Sequence, residues 1–177
     1  MEISNVASPF KYVMIFIVMI LVQVLVCNNI LLFGVAVPFI FIFFIVTLPL
    51  NLNPNLLMTL AFALGLIIDL FSDSMGLNSL ACLLLSVVKK PIFYAYMPKE
   101  DKFIEIIPSI CSMGWFNYIK FILSLTSIFC ILVFGIELFS FASFGRIVLM
   151  AASSTVLTVL LLLASDAIVN HERGELI

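Results

Sequence analysis

The residues of this chain best suited to chemistry are two acids, Asp69 and Asp73, set four apart at the end of an apolar run over 56–70. The surrounding string reads Gly65-Leu-Ile-Ile-Asp69-Leu-Phe-Ser72-Asp73-Ser-Met-Gly76-Leu-Asn78. On a helix Gly65, Asp69 and Asp73 share one face, with Ser72 and Gly76 adjacent. Two carboxylates so spaced can hold a divalent metal against an anhydride substrate, or bind an ion in transit. An ionised group within or at the rim of hydrocarbon is expensive and needs a stated compensation. A quieter use is available. Asp69 can accept hydrogen bonds from backbone amides at the start of the following helix and so lock a hairpin. Gly65 lets a neighbouring helix come close, and Gly76 turns the chain at little cost because glycine tolerates positive φ. The spacing leaves three uses open, a hairpin clamp, an ion or substrate site and a direct partner contact, of which it favours the clamp.

Catalysis finds little else to build on. Membrane phosphotransferases pair several acids with phosphate-binding arginines, whereas the arginines here are Arg146 and Arg173. The chain contains no G-x-S-x-G, no H-E-x-x-H and no phosphate-cradling glycine loop. An intramembrane aspartyl protease needs its acids on separate, facing helices. The single histidine, His171, lies in the tail. Cys27, Cys82, Cys111 and Cys130 lack C-x-x-C spacing and fall in or beside apolar runs, which fits packing rather than zinc or disulfides. The expectation is a protein that is not an enzyme, with no catalytic residue, metal or cofactor.

The elements that carry these residues are set by solvent. The chain is 64% hydrophobic and 10% charged, against about 25% charged in soluble domains, so it cannot cover itself with a water-compatible surface. A net charge of −2 gives no basic footprint for nucleic acid. Six apolar runs, about 10–26, 30–50, 54–71, 75–95, 115–134 and 144–169, are long enough to read as spanning helices. The first lacks a small-x-small cleavage pattern, and Val24-Leu-Val-Cys27 is a poor lipoprotein site, so it reads as a retained helix. The runs show no period-two alternation of a membrane barrel. The predicted fold is an all-α integral membrane protein, one domain over 1–177, with six transmembrane helices in a bundle.

Lysine placement predicts orientation. With both termini cytoplasmic, the inner side receives Lys11, Lys89, Lys90, Lys99, Lys102 and Arg173, and Lys120 lies within a turn or two of it. The outer side receives Arg146, a positive-inside asymmetry. Asp69 and Asp73 then fall at the outer end of the third span, and Glu137 in an outer loop. The polar stretch over 89–108, containing the inner loop 96–114 in part, reads as a solvated connector. Its alternative is an amphipathic segment anchored by Phe93, Tyr94, Tyr96 and Phe103. Ser153, Ser154, Thr155, Thr158 and Ser165 on the last span read as stitches between helices, with a water-lined cavity as the sharper alternative. Asp166 is expected near the inner rim.

The length, the six-span layout and the third-to-fourth hairpin together resemble the rod shape-determining protein MreD family. The resemblance rests on Pro54, then Gly65-Leu-Ile-Ile-Asp69, then Gly76-Leu77-Asn78 followed by Leu80-Ala81, about forty residues in all. Beyond that the match is one of length and hydropathy. The resemblance implies a non-enzymatic scaffold of the bacterial inner membrane, working in cell elongation and lateral peptidoglycan synthesis. It implies an MreC-like single-span partner, and indirectly the MreB filament and a peptidoglycan polymerase and transpeptidase. The same family is distantly similar in fold to the substrate-binding subunits of energy-coupling-factor vitamin transporters, which supplies the alternative function. Those subunits usually carry Ala-x-x-x-Ala on their first helix, and the run over 12–26 here has no alanine.

Overall fold

The computed structural model describes residues 9–27, 36–97, 107–137 and 144–174, and among the described residues there is no β-strand. The chain forms α1 (Pro9–Leu25), α2 (Ile42–Thr47), α3 (Pro54–Ser72), α4 (Leu77–Tyr96), α5 (Ile110–Met113), α6 (Trp115–Glu137) and α7 (Phe144–Gly174). α3 begins with Pro54 in its first turn, where the missing N–H costs nothing. The single turn α5 is closed by a capping box between Ser109 and Ser112. α3 packs most extensively on α4, α4 on α6, and α6 on α7, with α1 lying against α3.

The protein is built for a membrane. α3, α4, Trp115–Ile136 within α6 and Val148–Ala167 within α7 are each long and apolar enough to cross one, and α1 contributes the shorter apolar stretch Tyr12–Leu25. No more than 44% of any of the four spanning windows is buried inside the protein. The remainder is apolar surface at helical spacing, such as Leu56, Phe62, Leu66 and Leu70 on α3 and Val156 and Leu160 on α7. Surface of that size and chemistry calls for lipid.

The second predicted span is where expectation and structure part. Over the described portion of 30–50 there is no spanning helix: 36–41 is non-helical and α2 has six residues. Two prolines account for this. Pro38 removes a backbone donor and restricts the residue before it. Pro49 has the same effect on Leu48, which is extended at φ −60°, ψ 137° and ends α2. High hydropathy here reflects burial within protein, for Phe41, Ile42 and Ile45 are wholly inaccessible. Phe39 and Phe41 both stack edge-on against Phe129 of α6, with ring centroids at 5.1 and 5.5 Å.

Non-helical backbone at this depth has to find partners in protein, and side chains from three helices supply them. Gln23 of α1 donates to the Pro38 carbonyl at 3.0 Å and accepts from the Ile40 amide at 3.0 Å. On α7, the Ser154 and Thr158 hydroxyls accept from the amides of Val37 and Phe39 at 3.0 and 3.1 Å. At the far end, Lys89 of α4 donates to the Ile45 carbonyl at 2.8 Å and to the Leu48 carbonyl. Lys90 reaches the Leu52 carbonyl at 3.4 Å.

Other expectations change accordingly. Lys89 is not a solvated inner-face charge but a wholly buried one. α4 runs through Pro91 to Tyr96, as the run over 75–95 predicts, so 89–96 does not belong to the connector. Phe93 is no surface anchor, since it is buried against Phe121 at 5.7 Å. Ser154 and Thr158 do stitch, but to the backbone of the broken segment. Thr155 and Ser165 bond to carbonyls of their own helix. Asp166 is buried beside the Tyr118 hydroxyl. Expectations placed on Lys99, Lys102 and Phe103, and on the side chains of Lys11, Cys111, Glu137, Arg146, His171 and Arg173, lie outside the described residues.

The Lys89 contacts predict that Lys89→Met, which keeps the stem and removes the donors, destabilises the fold by about 2–3 kcal/mol by leaving two carbonyls unpaired. Thermal unfolding in detergent checks this against Leu84→Met on the exposed face. Equal midpoints for the two variants would show that Lys89 is not holding the segment.

Candidate functional site

The turn between α3 and α4 gathers most of the residues singled out by spacing. α3 ends on Asp73, which adopts the left-handed conformation (φ 51°, ψ 28°) and donates its amide to the Asp69 carbonyl. Aspartate tolerates that conformation better than most residues. Three residues on, Gly76 takes φ 79° as the residue preceding α4. Glycine there has a consequence: the position that normally offers a capping oxygen has no side chain, and α4 begins without a cap of its own.

Asp69 supplies what Gly76 lacks. Its Oδ1 accepts from the Asn78 amide at 3.0 Å and its Oδ2 from the Ser79 amide at 2.8 Å, two N–H groups of α4's first turn. Oδ1 also accepts from Asn78 Nδ2 at 3.0 Å and from the Ser74 hydroxyl. Asn78 Nδ2 in turn donates to Ser74 Oγ at 3.1 Å, and Ser79 Oγ to the Gly76 carbonyl at 2.8 Å. Four donors meet a carboxylate that has about four lone-pair sites. Asp69, only 6% exposed, is therefore committed to the hairpin, with the positive end of the α4 dipole beside it.

Gly65 sets the distance between the helices. A Cβ built on it would sit against Ser79 Cα, with the Asn78 carbonyl oxygen and Ser79 nitrogen at 2.7 Å. These are backbone atoms, and they cannot rotate away. Gly65, Asp69, Gly76 and Asn78 thus come together as the spacing predicts. Asp73 does not join them: its side chain is exposed, and its share in the clamp is backbone geometry. The two acids form no paired site. Ser74 and Ser79 were not singled out by spacing, although hydroxyls flanking a glycine turn are the signal that marks them.

Sequence reasoning also missed a cavity of about 430 Å³ beside the clamp. Gln23 and Val24 of α1, Val37, Phe39 and Phe41 of the broken segment, Ile68, residues 71–74, the start of α4 and Val133 and Phe134 of α6 contribute to its wall. Asn78 lies on that wall, 7% exposed, and its Oδ1 has no hydrogen-bond partner.

No protein-family model matches the chain, and neither a curated protein nor a solved structure matches it.

Two substitutions test the clamp. Gly65→Ala is expected to cost about 3 kcal/mol, because the added methyl must push two backbones apart. Asp69→Asn is expected to cost about 2 kcal/mol, since an amide nitrogen would face a donor and the charge-assisted bonds would be lost. Both are read as lowered thermal midpoints in detergent. A Gly65→Ala protein as stable as wild type would mean that α3 and α4 are not in backbone contact.

Proposed function

We propose that this chain is a non-enzymatic, multi-pass scaffold of the bacterial inner membrane, part of the cell-elongation machinery that organises lateral peptidoglycan synthesis and cell shape. Its partner in this reading is an MreC-like single-span protein, with the MreB filament and the peptidoglycan polymerase and transpeptidase one step further out. One observation carries the reading. The Gly-x-x-x-Asp element and the Gly-Leu-Asn turn that support the MreD resemblance are joined by hydrogen bonds into one rigid hairpin around Asp69. The carboxylate is used up in structure, which suits a part that holds others in place.

Six crossings with both termini cytoplasmic belong to the same proposal, and the path of the broken segment supports them. It runs from the level of Gln23, near the end of α1, to Lys89, about 18 Å along α4 from Leu77. A return crossing that is only partly helical fits that path.

The test is co-purification in detergent with an MreC-like protein, with cell shape as the second readout. Wild type is expected to retain the partner. Asp69→Ala should reduce its recovery at least tenfold and give rounded cells. Full recovery and normal rods with that variant would overturn the functional reading. So would wild-type protein that brings down a vitamin and a transporter coupling subunit instead, which is the outcome the transport alternative requires.

A further inference from the structure

The cavity beside the hairpin has a composition that selects a ligand. Among the described residues its lining includes one charged side chain, Asp73, and no lysine, arginine or histidine. Asp73 is exposed at the mouth, and its side chain is not spent on the clamp. Deeper in the wall, Asn78 gives its amide hydrogens to Asp69 and Ser74, leaving its buried carbonyl oxygen unpaired. Reversing the amide would not help, because its NH₂ group already faces two acceptors. An unpaired buried acceptor in a native fold calls for an explanation, and a donor brought in by a ligand is one. The rest of the wall combines aromatic and aliphatic side chains, Phe39, Phe41, Phe71 and Phe134 among them, with the polar groups of Gln23, Ser72 and Ser74. Rings, a carboxylate and an orphan carbonyl share a preference for a positively charged hydrogen-bond donor on an apolar body. About 430 Å³ lies within the usual range for small-molecule sites.

We propose that this cavity binds a small organic ammonium compound, with its charged end between Asp73 and Asn78 and its apolar body among the phenylalanines. The proposal does not depend on the scaffold reading, since a bound amine is compatible with a scaffold or with a transporter. An anion would meet the Asp73 carboxylate with no basic residue to balance it. A neutral analogue would gain the rings but not the charge.

Three probes of one shape separate these cases: phenethylamine, 2-phenylethanol and phenylacetate. Each is titrated into the full-length protein in nanodiscs and followed by saturation-transfer NMR and calorimetry. Phenethylamine is expected to bind at least tenfold more tightly than the alcohol, and phenylacetate not to bind. Asp73→Asn should weaken phenethylamine about tenfold while leaving the thermal midpoint in place, because asparagine accepts the left-handed conformation as readily as aspartate. Binding of phenylacetate or the alcohol as tight as that of phenethylamine overturns the proposal, as does failure of all three to bind. So does unchanged phenethylamine affinity in a folded Asp73→Asn protein. Should that variant not fold, the ranking of the three probes on wild type decides.

Discussion

Hydrocarbon offers no water to take up a stray amide or carbonyl, so a chain of this composition must satisfy its backbone from within. Helices do this automatically, and most of this protein is helix. The exception is the stretch from Ala36 to Asn53, interrupted by Pro38 and Pro49, in which only α2 is helical. Gln23, Ser154, Thr158 and Lys89 complete its bonding, and they come from α1, α7 and α4. Each of these polar groups is buried within a largely apolar bundle, where it would be a liability without the broken segment. The segment and its four partners require one another. Its aromatic side chains also fill the space against α6 through Phe129.

The hairpin solves the same problem at a helix end. Left-handed geometry at Gly76 turns the chain sharply into α4, but glycine brings no oxygen to cap the new helix. Asp69, one turn back from the end of α3, reaches across to cap it instead. That reach is short only because Gly65 lets Ser79 come into backbone contact one turn lower. A side chain at 65 would lengthen the very bonds that make Asp69 tolerable in an apolar setting. Close approach, turn and charge are therefore one device rather than three features that happen to be neighbours.

Much of this was legible in the residue order. Gly65, Asp69 and Gly76 at intervals a helix and a turn can align were enough to expect a clamp, and four of the six apolar runs carry helices long and apolar enough to span, with a shorter apolar helix on the first. What hydropathy could not distinguish was an apolar environment made of lipid from one made of protein, so 30–50 read as another lipid-solvated span. Pro38 and Pro49 were the contrary signal. Lys89 was misread for a related reason: a lysine near a helix end ordinarily holds its charge in water. Its helical neighbours tell otherwise, for Leu85 and Phe93 lie on the same face and are both wholly buried. Gln23, alone among apolar residues on its helix, carried the same message. Polar groups inside apolar periodicity point to backbone that needs them.

The cavity follows from the broken segment as directly as the polar contacts do. Phe39 and Phe41 pack edge-on against Phe129 of α6, and the chain turns at Ile40 and Phe41 to enter α2. Space is left over where the segment passes between α1 and the hairpin. There its wall is finished by Gln23 on one side and by the Asp69 clamp on the other, the two polar devices that hold the segment and the turn in position. A void between two hydrogen-bonded supports cannot collapse by relaxing one of them without leaving further buried polar atoms unpaired. Its walls are fixed for structural reasons, and a pocket with fixed walls is already shaped before any ligand arrives.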